Sequence, residues 1–314
     1  MEIGPEDADQ RIDNYLLRIL KGVPKSRIYR LLRKGEVRVN RGRARPDYRL
    51  AAGDQVRIPP VTTAADKPGP GPVPGRQLAG RILHEDDRLL VVDKPAGMAV
   101  HGGSGLSFGV IEALRAARPE AKFLELVHRL DRETSGCLIL AKRRSALRAL
   151  HEQLRENRMD KRYFALLRGR LQPPRQRVDA PLRRNQLRGG ERMVQVAGDG
   201  KPARTDFSLA EALPGASLVE AVLHTGRTHQ IRVHAAHLGH PLAGDDKYGD
   251  PDFNRRLRSL GLNRLFLHAH FIACDHPATG ERFQISAPLD AELRGVLERL
   301  HTDPISGPAG EGGS

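Results

Sequence analysis

The chain has 314 residues, with 52 Lys and Arg against 38 Asp and Glu, a net charge of +14 and a pI of about 10.3. Such an excess of cations points to a polyanionic partner, either nucleic acid or an anionic membrane surface. It has no apolar run near the roughly 20 residues that span a bilayer, no basic or apolar leader at its start, and two distant cysteines, Cys137 and Cys274, inside apolar runs that read as buried thiols in a reducing cytosol.

In chain order, the spacing of Ile12, Tyr15, Leu16, Ile19 and Leu20 predicts a helix over 9–20 with Asp9 as its N-cap. A second helix is predicted over 25–34, ending at Gly35, with Ile28, Leu31 and Leu32 on one face and Arg27, Arg30, Arg33 and Lys34 on the other. Short strands are predicted over 37–40 and 55–58. From Pro59 to Gln77, prolines alternate with glycines and small residues, the composition of a linker. The remainder reads as strands over 88–93, 137–141, 161–167, 205–210, 217–223, 265–273 and 282–286, with helices over 108–117, 145–158 and 290–300. Strands broken by a few helices, without regular βαβ alternation, predict an α+β domain on a mixed, mainly antiparallel sheet. The Gly/Pro-rich end, 301–314, is expected to be disordered.

Four segments hold residues suited to chemistry or binding. Residues 18–45 contain eleven Lys or Arg and one acid, Glu36. A solvated helix face would explain them, but a one-signed face continuing into the next strand is what phosphate contact requires. Lys25, Arg27, Arg30, Arg33, Lys34 and Arg38 are therefore the candidate contacts to RNA or DNA. The second segment, His128-Arg129-Leu130-Asp131-Arg132-Glu133-Thr134-Ser135-Gly136, sets one carboxylate between two arginines, whose charge favours the ionised form. On its own this is as well read as a surface ion pair. The third is Lys161 to Gly169, where Tyr163 is either a core-edge aromatic or a ring face for a nucleobase. The fourth, His224 to His240, has a turn at Thr225-Gly226-Arg227 entering a helix near Thr228, with His229 and Arg232 on its first turns. The spacing of His234, His237 and His240 suggests a metal, but no carboxylate or thiolate completes a ligand set.

Residues 10–60 resemble the alpha-L (S-four-type) RNA-binding domain. Taken together, the other segments resemble the pseudouridine synthases of the RluA family. His128-Arg129-Leu130-Asp131 followed by Thr134-Ser135-Gly136 is similar to that family's signature around its catalytic aspartate, and Asp93-Lys94-Pro95 with Gly97 to its first motif. The resemblance divides the chain into an RNA-binding domain at 10–60, a linker at 61–78, a catalytic domain at 79–300 and a tail at 301–314. It implies catalytic roles for Asp131, Tyr163 and Arg232, with Arg232 pairing with Asp131 and holding it oriented, and Tyr163 stacking on the base and assisting proton removal. Arg129 would enter the space left by a flipped uridine. The implied substrate is 23S ribosomal RNA, or a large-subunit assembly intermediate, in the cytoplasm. No cofactor and no metal are implied, and a monomer is the default.

The implied reaction detaches uracil from C1′, turns it and rejoins it through C5. This isomerisation needs no redox partner and no nucleotide, which agrees with the lack of a P-loop or dinucleotide fingerprint in the sequence. A non-enzymatic RNA-binding protein would leave the ordered motifs beyond residue 79 without a use. A glycoside hydrolase requires two carboxylates flanking the scissile bond, and these motifs offer one. A DNA-binding regulator would need a second recognition element.

Overall fold

The structure, a computed structural model, describes residues 1–20, 23, 25–60, 78–102, 109–186 and 192–302. Most of the expected linker and tail, and the side chain of Lys25, lie outside the described residues. The chain divides into two compact units, Met1–Gly71 and Pro72–Ser314.

The first unit packs α1 (Ile12–Ile19) and α2 (Lys25–Lys34) on a small antiparallel sheet of β1 (Arg38–Val39), β2 (Gly42–Arg43) and β3 (Val56–Arg57), in the order β2-β1-β3. Its core joins Ile12, Tyr15 and Leu16 to Ile28, Leu31, Leu32, Val39, Leu50 and Val56. The apolar stripes predicted from helical spacing are therefore the buried faces. Removing each such side chain from water contributes about 1.5–3 kcal/mol. The start of α1 departs from the sequence reading. Asp9 does not cap it: Asp9 sits at φ 62°, and the N-cap position falls on Arg11, which makes no side-chain cap bond. Instead, the first helical amides donate to a distant stretch of backbone, Ile12 N to Tyr48 O at 2.8 Å and Asp13 N to Pro46 O at 3.2 Å. Tertiary carbonyls thus satisfy the donors a cap would have taken.

The second unit is built on one ten-stranded sheet. Its path runs β4 (Ile82–Glu85), β5 (Leu89–Lys94), β7 (Ser135–Ala141), β14 (Leu267–Asp275), β8 (Asp160–Arg168), β13 (Ala216–Leu223), β12 (Arg204–Leu213) and β9 (Arg175–Asp179). Off this path, β6 (Glu125–Leu126) pairs with β7 and β15 (Arg282–Ser286) with β14. Among the described residues, all pairings in this sheet are antiparallel except β7 with β14. A separate hairpin is formed by β10 (Leu182–Gln186) and β11 (Arg192–Val196). The helices are α3 (Val110–Ala116), α4 (Arg144–Arg155), α5 (Gln230–His237), α6 (Pro251–Ser259) and α7 (Ala291–Thr302).

The central strand β7 is buried on both faces, which explains its continuous apolar run. Leu138 and Leu140 join a layer with Val110 and Leu114 of α3 and with Ile231 and Ala235 of α5. Cys137, Ile139 and Ala141 point the other way, against Ala146 and Leu150 of α4. The short strands β4, β6 and β9, the β10–β11 hairpin and α6 were not visible as elements in the sequence. Helix α6 is mostly polar, holding its place through buried Phe253 and Leu257, yet it carries a local signal: Asp250 accepts from Phe253 N at 2.7 Å and proline occupies its first turn.

The one parallel pairing places Gly136 against Ala269. Gly136 has φ 106°, and a Cβ there would lie 2.3 Å from Ala269 O. Glycine is needed on both counts, at the start of the strand that follows Asp131. Gly136→Ala is expected to destabilise the second unit by more than about 2 kcal/mol, measured as a fall in its thermal unfolding midpoint; an unchanged midpoint would mean that the strand can slide to make room.

Candidate active site

A cleft of about 440 Å³ opens beside the N-terminal end of β7 and is lined by Arg129, Asp131, Lys161, Tyr163, His229 and Arg232, among others. Three distant stretches of sequence supply most of it: the loop before β7, strand β8, and the turn that leads into α5 together with the first turn of that helix. The cleft gathers Asp131, Tyr163, Arg232 and Arg129, all of them predicted site residues. The other predicted cations lie in the first unit, where Arg30, Arg33, Lys34 and Arg38 are exposed and Arg27 is half-buried on α2 and the strand after it. Arg38 is partly committed, its guanidinium donating to Gly35 O at 3.2 Å and Arg41 O at 3.3 Å.

The loop carrying Asp131 is held from beneath by buried polar groups. Lys94, fully buried at the end of β5, donates from Nζ to Pro95 O, Met98 O and Arg132 O at 2.9, 2.8 and 3.0 Å. Burial lowers its pKa to about 7, but the three carbonyls match the three N–H donors that only the ammonium has. Two residues past Arg132, the Thr134 amide closes a turn onto Asp131 O at 3.1 Å. Ser135 follows: its Oγ accepts from both terminal nitrogens of Arg264, at 3.0 and 3.1 Å, and its hydroxyl donates to His268 Nδ1 at 2.8 Å. His268 Nε2–H in turn donates to Ala287 O at 3.1 Å. His128 also serves structure, its Nε2 accepting from Ile139 N at 3.1 Å, and burial pushes its pKa down to about 4, so that it is neutral. Arg129 is exposed at the cleft.

The expected ion pair between Arg232 and Asp131 is not the one formed. Arg232 grips Asp245 two-pronged, Nε to Oδ2 at 2.7 Å and Nη2 to Oδ1 at 2.6 Å, with the aspartate side chain fully buried and the arginine 9% exposed. Asp245 has the better claim because it comes pre-oriented: its Oδ1 also accepts from the Lys247 and Tyr248 amides, at 2.9 and 3.0 Å. Burial alone would raise the pKa of Asp245, but the Arg232 hydrogen bond and charge, with those amides, hold it below the ordinary value. Arg232 also lies with its guanidinium 5.0 Å from the centre of the Tyr248 ring. Asp131 is left with no side-chain hydrogen bond or ion pair among the described residues. Its charge is nevertheless felt by Arg232, Tyr163 and His229.

Tyr163 is buried on β8, and burial followed by the charge of Asp131 raises its pKa, so the free enzyme holds it as a protonated phenol. Gln230 fixes the turn before α5. Its Oε1 accepts from Thr225 Oγ1 and Arg227 N at 2.7 and 3.0 Å, and its Nε2 donates to Arg204 O and Thr205 Oγ1 at 2.9 and 3.0 Å. Sequence reasoning missed Asp245, Tyr248 and Arg264. The signal for Asp245 was the compact Gly244-Asp245-Asp246-Lys247-Tyr248-Gly249 stretch, whose turn-forming residues gave no hint of a partner on α5.

A family model described as RNA pseudouridylate synthase matches residues 88–237, and one described as S4 domain matches residues 10–56. The chain belongs to the RNA pseudouridylate synthase family. Among its relatives, "Ribosomal large subunit pseudouridine synthase C" of Pasteurella multocida (strain Pm70) is 58% identical over 309 residues, 98% of this chain and 95% of that one. The protein of the same name from Escherichia coli (strain K12) is 57% identical over 303 residues, 95% of each chain. Two solved human structures, RNA pseudouridylate synthase domain containing 4 and domain containing 1, superpose with TM-scores of 0.61 and 0.56 at 27% identity. They cover 72% and 71% of this chain and 95% of each of their own. The mixed, mainly antiparallel sheet and the basic N-terminal unit are thus the architecture of an RNA-modifying enzyme.

Removing one partner of a buried ion pair leaves an uncompensated charge, at a cost of about 3–5 kcal/mol. Asp245→Ala is expected to lose that much by denaturant unfolding, and Asp245→Ala with Arg232→Leu to recover part of it. Because the folded pKa of Asp245 is depressed, its contribution is fully present above about pH 4 and is lost as pH falls through the folded value. Unfolding curves of the wild type and of the double variant should therefore converge below about pH 4; a gap that stays constant with pH would contradict the pairing.

Proposed function

We propose that the chain converts specific uridines of 23S ribosomal RNA, free or in a large-subunit assembly intermediate, to pseudouridine, with Asp131 as the catalytic carboxylate. The observation that carries this reading is the convergence of Asp131, Tyr163 and Arg232, from three separate motifs, on one cleft. The names of the relatives supply the ribosomal large subunit as the substrate class. Among the described residues no helix is long and apolar enough to cross a membrane, and the reading puts the enzyme in the cytoplasm, acting as a monomer without a cofactor.

A uridine within RNA structure must leave its stack to reach the cleft, at a cost of a few kcal/mol. Arg129, exposed at the cleft, enters the vacated space. Tyr163 lies flat against the uracil. Asp131 acts at the ribose and, with no ion-pair partner among the described residues, keeps both carboxylate oxygens available to substrate. Arg232 acts on Asp131 through its charge, while Asp245 fixes its position. Binding is the task of the first unit, whose α2 face presents Arg30, Arg33 and Lys34 to phosphates, with Arg38 on β1 exposed beside them in sequence; Lys25 and Arg27 of the same helix complete the proposed contacts.

Asp131→Ala is expected to abolish tritium release from C5-labelled ribosomal RNA while leaving RNA affinity within a few-fold of the wild type. Full turnover in that variant would sink the assignment. Arg30→Ala, Arg33→Ala and Lys34→Ala combined should weaken RNA binding and flatten the plot of log affinity against log salt by about 2–3 units of slope, with kcat unchanged at saturating RNA. An unaltered slope would remove α2 from the interface.

A further inference from the structure

His229 is a half-buried titratable group that the reading above leaves without a task. It occupies the N-cap position of α5 in a left-handed conformation, φ 54° and ψ 22°. A non-glycine residue there is uncommon, and such conformations persist where the surroundings over-determine them. The surroundings are specific. His229 Nδ1 lies 2.8 Å from the Tyr248 hydroxyl, edge-on to the ring. The same hydroxyl oxygen accepts from Val194 N at 3.0 Å. Among the described residues the acceptor that the hydroxyl proton meets is Nδ1, an arrangement that leaves the imidazole's own proton on Nε2. Tyr248 is itself anchored, its amide donating to Asp245 and its ring lying against Arg232.

The location matters as much as the tautomer. A second cleft, of about 530 Å³, lies beside the catalytic one, and Asp131, His229 and Arg232 line both. These three residues border both spaces, and the charge of the carboxylate assigned to the chemistry reaches His229. Burial, which outweighs the charge of Asp131, lowers the pKa of His229 and keeps the ring neutral. A neutral imidazole with its tautomer fixed is a hydrogen-bond donor that cannot protonate Asp131 near neutral pH.

We propose that His229 is a further catalytic residue, its Nε2–H donating to a carbonyl oxygen of the departing uracil. This rests on the reading that glycosidic cleavage occurs at Asp131. When the C1′–N1 bond breaks, its electron pair goes to the base, and the negative charge spreads over N1 and the two carbonyl oxygens. The charge is withdrawn when C5 bonds to C1′; the C5 proton is then lost to a base and N1 takes up a proton, which leaves the product base neutral. A fixed donor at a carbonyl oxygen gains strength while that charge exists, and therefore speeds the chemical step more than it tightens binding. Tyr248 is a positioning residue that acts through His229.

Two measurements on the full chain test this. In long-range 15N correlation spectra of histidine-labelled protein, the His229 signals, assigned by their loss in His229→Asn, should show a neutral ring protonated on Nε2; protonation on Nδ1 would overturn the proposal. In turnover assays, His229→Asn tolerates the left-handed backbone but stops short of the Nε2 position, and should lower kcat by about 10²-fold with KM for RNA unchanged. His229→Gln, which can restore an N–H near the position of Nε2, should recover part of that loss. A kcat within twofold of wild type in His229→Asn, or a change confined to KM, would also overturn it. Asp131→Ala, run alongside, separates the two assignments: an inactive Asp131→Ala with a normal His229→Asn defeats the role of His229 alone, and an active Asp131→Ala defeats the reading beneath it.

Discussion

Two opposite charges buried together, Arg232 on α5 and Asp245 in the turn after it, organise the catalytic cleft. Neither could be buried alone without a large desolvation cost, so each dictates the position of the other. The consequences run outward from the pair. Asp245 collects the amides of Lys247 and Tyr248 and so shapes its own turn. Tyr248, placed by that turn, covers the Arg232 guanidinium and holds the His229 ring. Arg232 spends two of its nitrogens on Asp245 and keeps its charge beside Asp131 without locking that carboxylate in a salt bridge. For the role proposed for Asp131, a nearby fixed charge serves better than a partner that occupies its oxygens.

The loop that bears Asp131 is held in place by a different set of contacts. A loop beside a buried strand exposes carbonyls and a hydroxyl to an apolar interior, and each needs a partner. Lys94 answers the carbonyls, and Arg264 with His268 answers Ser135. The motif residues around Asp131 thus divide between chemistry and support: Thr134, Ser135 and Gly136 exist to start β7 correctly, and the close approach of Gly136 to Ala269 O is what makes that start possible. Preorganisation of this kind removes the reorganisation that would otherwise accompany charge development in the cleft.

In the proposed function, affinity and chemistry fall to different units. The first has its own apolar core and a one-signed exposed face on α2, suited to phosphate contact that ignores sequence. The second supplies the cleft, where recognition depends on the shape of a single extruded base. Such a division lets the strength of RNA binding vary with salt while the geometry at Asp131 stays constant.

Much of this was legible in the sequence, because it depends on local pattern. Helical spacing located Ile28, Leu31 and Leu32 on the buried face of α2, continuous apolar runs located β7 and β14, and the ordered motifs brought Asp131, Tyr163 and Arg232 into one hypothesis. Elements with little apolar content, such as β9 and α6, were missed since their burial is lent by neighbours. The N-terminus of α1 was misread because carbonyls of residues 46 and 48, not Asp9, satisfy its amides. The partner of Arg232 was misassigned for the same kind of reason. Residue types alone made Arg232 a cation in search of a carboxylate, and two aspartates were within reach. Only the folded chain, with two amides already aimed at Asp245 and none at the side chain of Asp131, decided which one received it.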